Sequence, residues 1–207
     1  MTDTLDLMIQ RLLAYAGLFY FYVCGRGVVR KWESIEQCLE KGFILAPNHV
    51  SYFDWIILWA VFYHKKNIKI LFLGKEKLFT HILWGAVMRG AHVVKVSDTG
   101  DKFINRSHYK RLLNSKYVAI FPEGTRSKTG EIGEFKNGII TLSKRLNLPI
   151  IPVGLLNFED AWHPQKKYPK LLPKKMEIRF GIPIKIDELN SQNLDIVKSG
   201  VKDLLCS

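Results

Sequence analysis

Short apolar runs rich in β-branched and aromatic residues recur along this 207-residue chain, separated by stretches of helical character. Most of the runs are continuous rather than alternating, which is typical of strands buried on both faces of a sheet. Strands that alternate with helices indicate an α/β domain with a largely parallel sheet. The predicted strands are Phe43–Ala46, Ile68–Leu73, His92–Val96, Tyr117–Phe121, Ile150–Leu155 and Met176–Phe180.

The segments between the strands predict helices on both faces of the sheet. We expect one α/β domain over residues 31–207, with a largely parallel central sheet flanked by helices and preceded by an N-terminal amphipathic helix in residues 1–30. Functional side chains in such sheets gather beyond the carboxyl ends of the strands. The predicted flanking helices are Asp54–His64, Leu78–Met88, Asp101–Asn114, Asn137–Leu146 and Leu194–Leu205.

The N-terminal run Leu12–Cys24 carries no charge and lies between Arg11 and Arg26. A helix of this length covers about 20 Å, whereas the hydrocarbon core of a bilayer is about 30 Å thick. Its aromatic cluster and flanking arginines suit the headgroup boundary of a membrane, although a helix packed on the domain core would look similar. We expect a peripheral protein bound to the cytoplasmic side of a membrane.

The chain carries 31 Lys and Arg against 19 Asp and Glu, a formal charge of +12. This excess indicates an anionic partner: nucleic acid, an acidic lipid surface or a phosphorylated small molecule. The basic residues are dispersed and form no nucleic-acid motif, so we expect no nucleic acid. The cysteines Cys24, Cys38 and Cys206 lack the spacing of metal ligands, and we expect reduced thiols and no metal.

A histidine and an aspartate follow the first core strand. His49 and Asp54 are five residues apart, and on one regular helix their side chains would diverge by about 140°. They meet if His49 lies in the turn and Asp54 in the first turn of the next helix, as Pro47, Asn48 and Ser51 favour. A neutral imidazole oriented by a carboxylate can take the proton of an alcohol that attacks a thioester. Alone the pair is a weak signal, since a histidine at a strand end is more often structural.

A second polar cluster follows the strand Tyr117–Phe121, in the segment 121–127. Gly124 allows close backbone approach, Thr125 and Ser127 supply hydroxyls, and the guanidinium of Arg126 fits phosphate oxygens. Glu123 offers an acceptor for a sugar or glycerol hydroxyl. In isolation the segment is equally compatible with a capped surface turn containing a Glu–Arg pair.

Two further features extend this cluster. Lys136 lies beside a predicted helix N-terminus, which predicts an anion site. Pro152 interrupts a strand-like run and indicates an edge strand, a bulge or the wall of a pocket.

These residues resemble the 1-acylglycerol-3-phosphate acyltransferase family, also called the lysophosphatidic acid acyltransferase family. Four ordered blocks carry the resemblance: Asn48-His49 with Asp54, the weaker match around Lys95, Phe121–Ser127 followed by Phe135–Gly138, and Ile151-Pro152-Val153. The blocks span residues 46–154. At Lys95 the family usually has an arginine, so the charge is kept while the bidentate fork is absent.

The resemblance implies that His49 is the general base and Asp54 its orienting partner. Glu123, Gly124, Thr125 and Arg126 would bind the glycerol and phosphate of a lysophosphatidate acceptor, with Lys95 and Lys136 assisting, and Pro152 would line the donor pocket. Acyl-CoA or acyl-carrier protein would be the acyl thioester donor, with no further cofactor and no metal, at a membrane surface. Two alternatives remain: another lyso-lipid acceptor such as lyso-ornithine lipid, or a non-catalytic lipid-binding protein.

Overall fold

The computed structural model describes residues 2–75, 93–96, 106–185, 187 and 194–206. A π-helical turn, Tyr20–Cys24, continues the N-terminal helix. The predicted helix Leu78–Met88 lies outside the described residues. The helices are α1 Thr2–Phe19, α2 Glu33–Glu36, α3 Asp54–Lys66, α4 Arg106–Leu113, α5 Gly138–Leu146, α6 Phe158–Ala161 and α7 Leu194–Cys206.

The described strands form one seven-stranded sheet in the order β1-β7-β6-β2-β5-β3-β4. Neighbouring strands are parallel except for the antiparallel pair β6–β7. The predicted α/β fold with a largely parallel sheet is therefore confirmed. The strands are β1 Val28–Arg30, β2 Phe43–Pro47, β3 Leu71–Lys75, β4 Val93–Val96, β5 Tyr117–Ala119, β6 Ile150–Leu156 and β7 Glu177–Phe180.

The strand β1 was not predicted, because a run of three residues is too short to give a pattern. It pairs with β7, so the sheet begins at Val28, three residues before the domain boundary expected at residue 31. The second predicted run, Ile68–Leu73, is also displaced: Ile68 and Ile70 are buried, but β3 begins only at Leu71.

Each face of the sheet carries its own hydrophobic core. On one face, Phe43 and Leu45 of β2 pack with α1 and α3. On the other, Ile44 and Ala46 pack with α5 and α7. All five residues of β2 are buried, as expected for a strand covered on both faces. This central strand therefore has a fixed position, and the loop that follows it begins from a rigid support.

Pro152 lies in the interior strand β6, between β2 and β7, so the edge-strand interpretation is wrong. The irregularity lies in the partner segment after β7 rather than in β6 itself. Val153 pairs with Phe180, whereas Ile150 bridges to Ile184, so three steps along β6 face four steps along the partner segment. The missing N–H of Pro152 is tolerated because it lies beside this irregular segment, whose Gly181 donates to the Pro152 carbonyl at 2.8 Å.

The N-terminal helix α1 has two different apolar faces. Its inner face packs on α3 so closely that a Cβ atom on Gly17 would lie 3.3 Å from the Cβ of Ala60. Its outer face continues into the π-helical turn and exposes large apolar side chains. None of the described helices is both long and apolar enough to cross a membrane. The exposed side chains, defined here as the outer face, are Met8, Leu12, Tyr15, Phe19, Tyr22 and Val23.

Candidate active site

His49 and Asp54 are in direct contact at the carboxyl end of β2. The Nδ1 atom of His49 lies 2.7 Å from Oδ2 of Asp54. His49 occupies the turn after β2, and Asp54 is the first residue of α3, as predicted. The carboxylate accepts hydrogen bonds, so Nδ1 carries the proton and Nε2 keeps its lone pair. This is the tautomer that a general base requires.

The turn between the two residues is built around the same carboxylate. Asp54 Oδ2 also accepts hydrogen bonds from the backbone N–H groups of Val50 at 2.7 Å and Ser51 at 2.8 Å. Asp54 is fully buried, and its Oδ1 has no hydrogen-bond partner in the part of the chain that the structure describes. The negative charge also lies at the N-terminus of α3, where the helix dipole stabilises it. Asp54 therefore orders both the turn and the imidazole.

The backbone of His49 is held by the segment that follows β5. Its N–H donates to Oε1 of Glu123 at 2.7 Å, and its carbonyl accepts from the N–H of Ser127 at 2.7 Å. The imidazole stacks on Phe121 with ring centroids 3.9 Å apart. The two polar clusters predicted from sequence thus form one site, because β2 and β5 are adjacent and parallel.

Glu123 has a positioning role that the sequence did not predict. Only 5% of it is exposed, and its second oxygen, Oε2, accepts from the N–H of Gly133 at 2.9 Å. Burial raises the pKa of this carboxyl above its usual range, although the two backbone hydrogen bonds act in the opposite direction. Glu123 therefore joins the His49 turn to the loop before α5. A contact with an acceptor hydroxyl stays a prediction.

Asn48 fixes the end of β2 against β6. Its Nδ2 donates to the carbonyl of Leu155 at 3.2 Å, and its Oδ1 accepts from the N–H of Leu155 at 2.8 Å. The buried side chain thus pairs with a backbone unit as another strand residue would. This reciprocal pairing restrains the backbone at Asn48 and therefore the position of His49, the next residue.

Arg126 lies over the ring of Tyr52, with its Cζ atom 4.1 Å from the ring centroid. Burial lowers the pKa of the guanidinium, and its Nε is buried without a hydrogen-bond partner among the described residues. A buried donor without a partner costs free energy, which an anionic ligand would recover. Arg126 is thus held beside the His49–Asp54 turn by a cation–π contact. Its Nε–H remains available to donate a hydrogen bond to a ligand.

Lys136 and Gly124 lie close together on the same side of the site. Gly124 has φ +69°, and a Cβ atom there would come within 3.1 Å of Lys136 Nζ. The backbone N–H of Lys136 donates to the Pro122 carbonyl at 2.9 Å, which places the ammonium just before α5. Lys136 and Thr125 are exposed. Two cations and a helix N-terminus thus border the site, and the binding of an anion there stays a prediction.

Two predicted site residues lie apart from this cluster. Lys95 is on the terminal strand β4, three strand spacings from β2, or about 14 Å. Pro152 packs against Gly200 of α7, where a Cβ atom would lie 2.9 Å from its Cγ. Their roles in phosphate binding and in the donor pocket stay predictions.

The loop after α6 supports the same turn and was not predicted from sequence. The Trp162 carbonyl accepts from Ser51 Oγ at 3.0 Å and from the Tyr52 N–H at 3.2 Å. The Trp162 ring also packs against Tyr52 and Phe53, with ring centroids 4.9 Å and 5.2 Å apart, whereas Gly133 acts through its backbone N–H. Within the described residues, no group of three or more His, Cys, Asp and Glu side chains is arranged to hold a metal ion.

Comparison with known proteins agrees with this geometry. The Acyltransferase family model matches residues 26–156, which include the whole His49 turn and the segment after β5. The match therefore covers the part of the α/β sheet whose carboxyl edge carries the His49–Asp54 pair. The chain belongs to the acyltransferase family, the family of the 1-acyl-sn-glycerol-3-phosphate acyltransferases.

The individual relatives share less than a third of their aligned residues with this chain. A 1-acyl-sn-glycerol-3-phosphate acyltransferase from Cocos nucifera is 28% identical over 156 residues, covering 72% of this chain and 47% of the relative. One from Saccharomyces cerevisiae is 27% identical over 179 residues, covering 81% and 55%. The chain thus spans about half the length of these relatives. The crystal structure of the 1-acyl-sn-glycerophosphate (LPA) acyltransferase PlsC from Thermotoga maritima shares the fold, with a TM-score of 0.73, 21% identity and coverage of 99% and 83%.

Proposed function

We propose that this chain transfers a fatty acyl group from acyl-CoA or acyl-carrier protein to the free hydroxyl of lysophosphatidate, a step of phospholipid biosynthesis. One observation carries the proposal: the 2.7 Å contact between His49 Nδ1 and the fully buried Asp54, which leaves Nε2 as a base. The names of the curated relatives support the same acceptor.

In the proposed reaction the acceptor hydroxyl attacks the thioester directly. The hydroxyl oxygen bonds to the thioester carbonyl carbon while His49 Nε2 takes the hydroxyl proton, and Asp54 stabilises the imidazolium that forms. The tetrahedral intermediate then collapses, the C–S bond breaks, and the departing thiolate takes the proton from Nε2. No acyl-enzyme is formed, so the site needs no protein nucleophile.

The acceptor's phosphate is proposed to bind on the side of Arg126 and Lys136. The unpaired buried Nε of Arg126 and the ammonium of Lys136 over Gly124 supply the charge, and Thr125 supplies an exposed hydroxyl. Phosphate dianions favour such paired cations. Lys95 would assist from β4, and Pro152 with its strand would line the donor pocket. The remote position of Lys95 favours testing acceptors without a phosphate as well, including lyso-ornithine lipid.

The outer face of α1 is proposed to dock the chain on the cytoplasmic side of a membrane as a peripheral protein. A continuous stripe of exposed apolar side chains gains free energy when it enters the headgroup region. Replacing Leu12 and Phe19 with Gln should weaken binding to both neutral and anionic vesicles. Equal binding by this variant and the unchanged chain would contradict the docking surface.

Product identification with a panel of acceptors tests the proposed reaction. The purified chain would be given acyl-CoA or acyl-carrier protein donors with lysophosphatidate, lysophosphatidylcholine or lyso-ornithine lipid in detergent, and products would be measured by mass spectrometry. Phosphatidate as the main product would support the proposal. If lyso-ornithine lipid alone were acylated, the acceptor would be lyso-ornithine lipid rather than lysophosphatidate. The absence of every product would favour a non-catalytic lipid-binding protein.

A further inference from the structure

The segment between β6 and β7 contains the densest basic sequence in the described part of the chain. Residues 163–175, called here the lysine loop, carry five lysines and no acidic residue. Three large apolar side chains interrupt the lysines and face solvent: Tyr168 is 70% exposed, Leu171 75% and Leu172 62%. Residues 165–172 are all exposed. A surface that is both cationic and apolar calls for a partner that offers negative charge and apolar groups together.

The loop is fixed in place by hydrogen bonds to its backbone. Tyr20 donates its hydroxyl hydrogen to the Lys170 carbonyl, Arg26 Nη2 donates to the Pro173 carbonyl at 2.7 Å, and Asn157 Nδ2 donates to the Lys175 carbonyl at 2.7 Å. Since the carbonyls are held inward, the side chains between them project outward. Tyr20 and Arg26 belong to the end of the N-terminal helix and the turn after it, so the lysine loop adjoins the outer face of α1.

The five lysines of the loop differ in their ion pairs. Lys170 pairs with Asp160 at 3.1 Å, and Lys175 lies 3.9 Å from Glu177. Lys166, Lys167 and Lys174 have no ion pair with any described residue, and all three are exposed. Lysines beside leucines at one surface match a bilayer that contains anionic lipid, where the ammonium groups reach phosphates and the leucines reach acyl chains. A second copy of this chain, also at +12, would be repelled.

We propose that the lysine loop is a second bilayer-binding surface, selective for anionic lipid, which acts together with the outer face of α1. The inference deepens the proposed function, on which its role in catalysis rests, but binding to the bilayer itself needs no acyl transfer. Its chemical partner is a membrane surface with negatively charged headgroups.

The lysine loop is also joined to the turn that carries His49. The carbonyl of Trp162, the residue just before the loop, accepts from Ser51 Oγ and the Tyr52 N–H, and the Tyr52 hydroxyl donates to the Pro164 carbonyl in the loop at 3.4 Å. Ser51 and Tyr52 lie between His49 and Asp54 in the sequence. Docking of the loop on a bilayer would therefore hold the candidate active site next to the lipid surface from which an acceptor is drawn.

The test compares vesicle binding by the full chain and two triple variants. In the first, Lys166, Lys167 and Lys174 are replaced with Gln. Each lysine near an anionic surface contributes about fivefold to binding, the equivalent of about 1 kcal/mol, so the variant should bind anionic vesicles about 100-fold more weakly. The vesicles would be phosphatidylcholine alone or with a third of phosphatidylglycerol, at low ionic strength.

The matched control replaces Lys41, Lys116 and Lys144 with Gln, which removes the same charge from exposed lysines. Lys41 lies two residues before β2, Lys116 lies one residue before β5, and Lys144 lies in the last turn of α5, so all three are at the opposite edge of the sheet. The control should keep most of its anionic-vesicle binding, and neither triple variant should change the binding to neutral vesicles. Equal losses in the two triple variants would overturn the proposal, because net charge rather than the loop would then govern binding.

A second measurement separates this inference from the proposed reaction. Turnover with acyl-CoA and detergent-solubilised lysophosphatidate should be the same in the lysine-loop variant and the unchanged chain, while turnover on anionic vesicles should fall with binding. Loop-dependent vesicle binding without any acyl transfer would support the inference and contradict the proposed function. If the lysine-loop variant bound vesicles as well as the unchanged chain, and the unchanged chain transferred acyl groups, the inference would be contradicted and the proposed function supported.

Discussion

Two glutamates in this chain have opposite electrostatic surroundings. Glu123 is buried between two backbone N–H groups, and burial raises its pKa. Glu177, on β7, lies between the guanidinium groups of Arg30 and Arg179, which lower its pKa to about 2, with the Arg30 hydrogen bond as the largest cause. One carboxylate is held at a free-energy cost beside the candidate base, whereas the other is stabilised by two arginines on β7, next to the terminal strand β1.

The difference shows that the Glu123 carboxylate positions residues of the candidate site, whereas the Glu177 carboxylate stabilises the fold. Arg30 joins β1 to β7 through Glu177, with its Nε 2.9 Å from Oε2. Glu123 instead restrains the backbone of His49, and a carboxylate without a cation to offset its burial is typical of a functional site. Substitutions near Glu123 should therefore change turnover more than stability, and those near Glu177 should do the opposite.

The largest expected effect comes from Asp54→Asn. The amide cannot stabilise the imidazolium, and its NH2 group disfavours the required tautomer, so kcat should fall on the order of 10³-fold. Steady-state kinetics would measure the loss, and thermal unfolding would show whether the fold persists. A variant that keeps near-normal kcat would break the assignment of Asp54 as the partner of the base.

Glu123→Gln should produce the next largest effect. One amide NH2 would replace an oxygen that now accepts a backbone N–H, leaving either His49 or Gly133 without its acceptor. We expect kcat to fall about tenfold to a hundredfold, with little change in the KM for the acceptor. A large rise in KM with kcat unchanged would mean instead that Glu123 binds the acceptor. Glu177→Gln is the matched control and should leave both constants unaltered.

Arg126→Lys should raise the KM for a phosphate-bearing acceptor about tenfold, because lysine keeps the charge but loses the planar fork and its stacking on Tyr52. The KM for the acyl donor should not change. Comparison with an acceptor that lacks the phosphate gives the sharper result, since its KM should be insensitive to the substitution. Equal effects on both acceptors would make Arg126 structural.

The smallest effect is expected for Glu177→Gln, and only in stability. The lowered pKa means that Glu177 stabilises the fold above its usual pKa of 4.5, and this contribution is lost as pH falls toward about 2. Because Arg30 is half exposed, solvent screens the ion pair, and its loss should lower Tm only slightly at neutral pH. The difference in Tm should disappear in acid. A difference that persists below pH 2 would show that packing, not charge, is responsible.

The sequence predicted most of the sheet and the central residues of the site. Continuous apolar runs identified β2 and β6, and the helical turn between His49 and Asp54 followed from loop and cap residues. The joining of the two clusters through Glu123 could not be predicted, because it depends on β2 and β5 being neighbours in the sheet. Sequence order likewise does not show that two strands, β5 and β3, separate β2 from the strand that carries Lys95.

The surface features were the least accessible to sequence analysis. The charge-free run Leu12–Cys24 indicated an apolar helix, but only the packing of Gly17 on Ala60 separates its inner face from its outer face. The lysine loop carries no family motif, and its position beside α1 rests on contacts over more than a hundred residues of sequence, such as Arg26 to Pro173. Buried faces of helices and strands give a periodic pattern of apolar residues, whereas the exposed residues of a loop give no such pattern.

The most direct test of the central claim is thiol release by the purified chain with acyl-CoA and lysophosphatidate in detergent, beside the variant His49→Ala. The account predicts release that requires the acceptor and falls by at least about 10²-fold in the variant, while the variant unfolds at a similar temperature. Acceptor-dependent release at a near-normal rate from His49→Ala would contradict the assignment of His49 as the general base.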